Sequence, residues 1–209
     1  MKKQLATLTI ALGLFAAGTK LEAQDNMQDN KTSQDGMSDN KMSNGKMSND
    51  KMSGDKMDDA QIVGIVLAAD QIDIDYGKVA LQKSKDAKVR EFAQRMVTDH
   101  SAVQKRVIEL AGKLGVKAED SQTSTGLKSG AADITKKLKT LKGKEFDKLY
   151  IDNEVSYHKT VTDAVDAVLI PSAQNTELKS ALQGAQPLFL THLEHARSVQ
   201  SGQGDSMAH

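Results

Sequence analysis

The sequence predicts an all-α protein in which four long amphipathic helices form an antiparallel bundle, with a long connection between helices two and three. Three observations lead there. Val89, Ala93, Met96, Val103, Val107, Leu110 and Leu114 follow one another in alternating steps of four and three, with His100 on the same line, which is the seam of a helix packed lengthwise on others. Three further stretches carry apolar stripes at helical spacing. Their connections are short, long and short, so two hairpins are joined by one crossover.

Composition narrows the class. The 209 residues have no net charge, no Cys, no Trp and two Pro, which fits one domain with tails. A neutral chain lacks the basic excess that phosphate binding leaves, so nucleic acid is not an expected partner.

Residues 1–23 read as a secretory signal peptide: Lys2 and Lys3 form the basic start, Leu5–Ala17 is a short apolar run, and Leu21-Glu22-Ala23 offers a cleavage site. The run falls short of the roughly 20 residues a bilayer needs. No Cys follows for lipid attachment, and removal of Lys2, Lys3, Lys20 and Glu22 leaves the mature chain slightly acidic. No later segment is apolar enough to cross a membrane. The expected location is secreted, in a bacterial periplasm or outside the cell.

Residues 24–59 change abruptly to Asp, Asn, Lys, Ser, Gly and Met, a low-complexity arm expected to be disordered. A Lys-Met-Ser unit recurs so that Met37, Met42, Met47, Met52 and Met57 stand five apart. On a helix that spacing turns each thioether by about 140° from the last, so they build no buried face. Exposed thioethers can capture a soft ion such as Cu(I), with Asp assisting a harder one. A solvated spacer grown by duplication explains the repeat as well.

The folded part is expected over residues 60–199. Its first helix, about residues 60–83, places Ile62, Ile65, Val66, Ala69, Ile72, Tyr76, Val79 and Ala80 at helical spacing. Asp70, Asp73 and Asp75 interrupt it; outer-face solvation is the ordinary explanation for such acids, a carboxylate ligand the other. Lys83 to Asp86 is a polar break in which Ser84 or Asp86 can cap the organising helix. Residues 115–129 read as a long connection, with a small helix over residues 131–141.

The third main helix, about residues 144–169, has Phe146, Tyr150, Val155, His158, Val161 and Val165 on its apolar face. It is expected to stop at Ile170-Pro171, because the residue before Pro leaves the helical region. Ser172 can cap the fourth, about residues 173–199, with Leu178, Leu182, Ala185, Phe189, His192, Ala196 and Val199 inward and Pro187 inside it. Residues 200–209 read as a disordered tail.

The run Tyr76-Gly77-Lys78-Val79-Ala80, then Val89-Arg90-Glu91-Phe92-Ala93-Gln94-Arg95-Met96-Val97-Thr98-Asp99-His100-Ser101, resembles the domain-of-unknown-function 4142 family of secreted bacterial proteins. Phe146-Asp147-Lys148-Leu149-Tyr150 followed by His158, and Pro187-Leu188 followed by His192-Leu193, are similar to its later blocks. The resemblance implies a ferritin-like bundle, and ferritin-like di-iron sites pair a Glu-x-x-His on each of two helices. This chain departs from that pattern: Val97, Val155 and Phe189 stand three before His100, His158 and His192. Iron oxidation is therefore not expected.

His100, His158 and His192 remain as an inward set on three helices, with Asp73, Asp75 and Asp99 as carboxylates within reach of a transition-metal site. Helix counting puts His100 and His158 at the same height within about 3 Å, and His192 some 10 Å along the axis. The same imidazoles also suit a buried polar network, with Asp99, Asp152, Glu154 or Tyr157 as partners, or a core that charges below about pH 6.5. Nucleophile and phosphate-cradle motifs are missing, so an enzyme is the weaker reading. The function expected is a periplasmic metal-binding or stress-protection protein; the alternative is a non-catalytic structural or interaction module with a Met-rich spacer.

Overall fold

A computed structural model describes residues 57–205, and among them every regular element is helical. The expected signal peptide and most of the Met repeat lie outside the described residues. Met57 lies within them, partly buried against the core instead of extended in an arm.

Helix α1 (Asp59–Lys83) starts on a reciprocal cap, in which the Asp58 carboxylate accepts from Gln61 N–H and the Gln61 amide oxygen accepts from Asp58 N–H. Three residues turn the chain into α2 (Ala87–Leu114), capped by the Asp86 carboxylate on the N–H groups of Lys88 and Val89. So short a turn between helices in extensive contact makes them antiparallel. Helix α2 ends at Gly115, whose φ of 67° is a left-handed conformation open to glycine.

The crossover departs from expectation. It carries a 19-residue helix, α3 (Gln122–Thr140), where only a small helix near its end was predicted. Ser121 and Ser124 cap it reciprocally, a signal hidden within a Gly, Ser and Thr run that reads as loop. It lies against α1 and brings the number of long helices among the described residues to five.

Helix α4 (Gly143–Ala164) does not stop before Pro171. It passes into a π turn (Val165–Leu169) and a short α turn, α5 (Ile170–Ser172), with Ile170 itself in the right-handed helical region. A proline ring would strike the carbonyl four residues back. The π turn, closed by Ile170 N–H to Val165 C=O, shifts the backbone register just ahead of it.

Asn175, and not Ser172, caps α6 (Thr176–Asp205), accepting from Glu177 and Leu178 N–H. Asp59 accepts from Gln174 and Asn175 N–H, tying this second hairpin to the start of α1. Helix α6 runs on through Pro187 and past Val199, so the expected tail begins no earlier than residue 206. No helix among the described residues is long and apolar enough to cross a membrane.

Helices α1, α2, α4 and α6 enclose two apolar layers. One includes Ile72, Phe92, Met96, Phe146, Tyr150 and Val199; the other includes Ile62, Val66, Val103, Leu169, Leu182 and Phe189. Residues 99–100 of α2, 154–158 of α4 and 192 of α6 lie between the two sets along each helix, as does Asp70 of α1, with Asp73 following about one turn on, just past Ile72.

Gly64 shows how tightly the chain after α2 is held against α1. A Cβ there would lie 2.0 Å from the Glu119 carbonyl oxygen, and Glu119 N–H bonds Ala60 C=O nearby at 3.0 Å. Gly64→Ala is expected to cost about 2 kcal/mol through overpacking and to lower Tm by roughly 4–8 °C in a thermal melt. An unchanged Tm would show that this contact relaxes freely.

Candidate metal centre

The middle layer is polar and closed. Asp70 and Asp73 of α1, His100 of α2, Glu154 and His158 of α4, and His192 of α6 are each no more than 2 % exposed. Carboxylates buried this deeply pay a large desolvation cost unless something compensates it.

Three imidazoles converge. The ring centroids of His100 and His158 are 5.7 Å apart, those of His100 and His192 5.1 Å, and those of His158 and His192 5.4 Å. One nitrogen from each lies within 4.8 Å of the others. The 10 Å offset expected for His192 does not exist, because the hairpin sits elsewhere than predicted. His158 stands 14 residues before Ser172 and His192 16 residues after Thr176, which matches their heights within about 3 Å.

Each imidazole has one nitrogen fixed and the other bare. His100 Nδ1 is 2.8 Å from Asp70 Oδ1, His158 Nδ1 is 3.1 Å from the Glu154 carbonyl oxygen, and His192 Nε2 is 2.9 Å from Asp99 Oδ2. A carbonyl oxygen only accepts, so His158 carries its proton on Nδ1; Asp99, and Asp70 when it is ionised, set His192 and His100 in the same way. That leaves lone pairs on His100 Nε2, His158 Nε2 and His192 Nδ1, all three buried without a hydrogen-bond partner. Imidazole metal ligands show this pattern, one nitrogen donating to a carboxylate or carbonyl and the other coordinating.

Carboxylates stand beside these lone pairs. Asp73 Oδ2 is 3.5 Å from His100 Nε2, and Asp73, Glu154 and His158 form a second group of atoms within 4.8 Å. Glu154 also faces Asp73 and Tyr150 without meeting hydrogen-bond geometry to either. Burial pushes Asp70 up to about 8, Asp73 to about 7 and Glu154 to about 8, and it pulls His192 down to about 4 and His100 below its ordinary value. In Asp73 the nearby His100 and His158 offset part of the rise. The layer thus strongly favours neutral groups, and a cation among them would reverse that preference.

Helix counting set His100 and His158 at one height, His192 about 10 Å away, and Asp73 either in solvent or as a carboxylate ligand; in the structure all four are buried in the one layer. Asp99 reaches the layer through His192 and is its most exposed member, at 28 % of its side chain, with Arg95 Nε 3.7 Å away. Asp75 does not belong: it is exposed, bonded to Gln71 and 4.0 Å from Lys78. Asp152 pairs with Lys148 and Gln200, and Tyr157 donates to Ala69 C=O. Asp70 is buried, where solvation was the ordinary expectation, and Glu154, expected as a partner of the imidazoles, occupies the inner line of α4 that Val155 was expected to hold.

Fold and site define an all-helical protein with an enclosed histidine and carboxylate layer. The chain belongs to the DUF4142 family, described as a domain of unknown function, whose family model matches residues 41–199. The match starts within the Lys-Met-Ser repeat, ahead of the first residue of the expected folded part. No curated protein and no solved structure matches the chain.

Proposed function

We propose that this is a secreted, ferritin-like metal-binding protein that holds one divalent transition-metal ion within its buried layer. On this reading residues 1–23 are a signal peptide, residues 24–56 a spacer, and α1, α2, α4 and α6 a four-helix bundle with α3 as an added helix in its crossover. The observation that carries the proposal is the set of three buried imidazole lone pairs, each fixed from behind by Asp70, Asp99 or the Glu154 carbonyl. His100 Nε2, His158 Nε2 and His192 Nδ1 would hold the ion, and Asp73 would supply the anionic donor. Three imidazoles and a carboxylate suit Zn(II), Mn(II), Fe(II) or Cu(II) over a soft ion. Apolar layers on both sides favour retention of an ion over turnover of a substrate.

Titration of the full chain with each of these four ions tests the proposal. The expected result is one ion per chain with submicromolar affinity for at least one metal. At 100 times Kd the bound ion adds about 2.7 kcal/mol of stability and raises Tm by roughly 5–10 °C. If no ion binds better than micromolar, the layer is a register-fixing polar network in a structural module. The bonds from His100 to Asp70 and from His192 to Asp99, each joining two helices, favour that second reading.

A further inference from the structure

The chain is neutral as a whole, yet an excess of basic over acidic residues gathers at one end of the helices. Residues 83–90 hold Lys83, Lys85, Lys88 and Arg90 against Asp86, a net +3, and residues 136–148 hold six Lys against Glu145 and Asp147, a net +4. The rest of the sequence therefore carries −7. Contacts unite the two segments. Lys83 Nζ donates to the carbonyls of Leu138 and Lys139 at 2.9 and 2.6 Å and lies 5.4 Å from the centre of the Phe146 ring. A cavity of about 280 Å³ lies between Asp86 to Lys88, Lys144, Asp147 and the last turns of α6.

Little at this end neutralises the charge. Lys85, Lys136, Lys137, Lys139 and Lys142 are exposed and make no ion pair among the described residues. All five are Lys, compact hydrated charges on flexible stems suited to a diffuse anionic field more than to a fixed bidentate partner. Phe92, Phe146 and Tyr150, the aromatic rings of this end, are fully buried and offer nothing for bases to stack on. A protein interface needs an apolar centre. Among the described residues the exposed large apolar side chains, Ile108 and Leu190, belong to other parts of α2 and α6.

We propose that this basic end docks the protein on an anionic phospholipid surface. Clusters of four to eight Lys or Arg read an anionic leaflet at about 1 kcal/mol per residue, which is about fivefold in partitioning for each. The contact is electrostatic, reversible and end-on, and it is independent of the buried layer.

Vesicle sedimentation of the full chain tests it, using phosphatidylcholine alone and with about one-third phosphatidylglycerol. The quantity read is the difference in binding between the two, which removes any contribution of the apolar amino-terminal run. The expected difference is large at low salt and shrinks as salt rises. Lys136→Gln, Lys137→Gln and Lys142→Gln together should reduce it by about 100-fold, with helical content and Tm unchanged. Lys105→Gln, Arg106→Gln and Lys117→Gln, towards the other end of α2, should leave it nearly intact. No preference for the anionic vesicles, or equal losses in both triple variants, would overturn the proposal. So would soluble polyphosphate that binds as tightly as the vesicles through the same three Lys, because it would assign the patch to a free polyanion.

Discussion

His158→Ala is expected to remove ion binding, lowering affinity by well over 100-fold, since even outer partners of ligands are worth 10–100-fold. His158 matters most because it belongs both to the imidazole group and to the group it forms with Asp73 and Glu154. Its ring lies edge-on to Phe92 and His192, so its loss also leaves a small void. A void can weaken binding by loosening the layer, and Asp70→Asn separates that effect from coordination. The amide introduced there keeps the shape of the Asp70 carboxyl but can offer an N–H to His100 Nδ1, which would move the imidazole proton to Nε2 and point it at the ion. A 10–100-fold loss is expected, without loss of metal-free stability, because a buried carboxyl has been replaced by a neutral amide. Asp75→Asn, on the exposed face, should bind like the unaltered protein. Calorimetric titration of the three variants decides the matter, and wild-type affinity in both His158→Ala and Asp70→Asn would end the metal assignment.

How much of this was legible in the sequence follows from how each residue signals its surroundings. An inward histidine sits on an apolar stripe, so His100, His158 and His192 were visible, and so was the common height of the first two. The height of His192 was lost because Ile170-Pro171 reads as a helix end; a π turn has no hydrophobic period to announce it. Asp70 was assigned outward because a lone acid is usually solvated. Yet Val66, Asp70, Asp73, Gly77 and Ala80 follow steps of four and three, a second seam beside the one read from Ile62, Ile65, Ile72 and Tyr76. Glu154 stands four from Tyr150 and four from His158, and Val155 took its place because apolarity was used to choose between adjacent positions. Patterning thus carried the fold class, whereas the acids of the layer are buried by their partners, which no single stretch contains.

The metal-free protein is expected to lose stability as pH rises from about 6.5 to 8. Burial holds Asp70, Asp73 and Glu154 at about 8, 7 and 8, far above ordinary values of 3.8 for Asp and 4.5 for Glu, so in this window the folded chain keeps protons that the unfolded chain has released. Raised carboxyls stabilise the fold relative to its state at high pH, and that advantage fades as pH passes their folded values, at up to about 1.4 kcal/mol per pH unit for each proton retained. Below 6.5 the histidines act oppositely: His100 and His192 are lowered by burial, so the unfolded chain binds their protons first and stability rises with pH there. The two tendencies offset each other from about 4.5 to 6.5, and the carboxyls act alone above it. A bound dication changes the sign, because it favours the ionised carboxylates and must displace their protons to enter. Chemical denaturation at pH 6.5, 7.25 and 8, with and without the preferred ion, should therefore show a gap between loaded and metal-free protein that widens with pH. Metal-free stability that stays flat or climbs across that window would mean the carboxyls are already ionised within the fold, and the electrostatic case for a cation in the layer would fall with it.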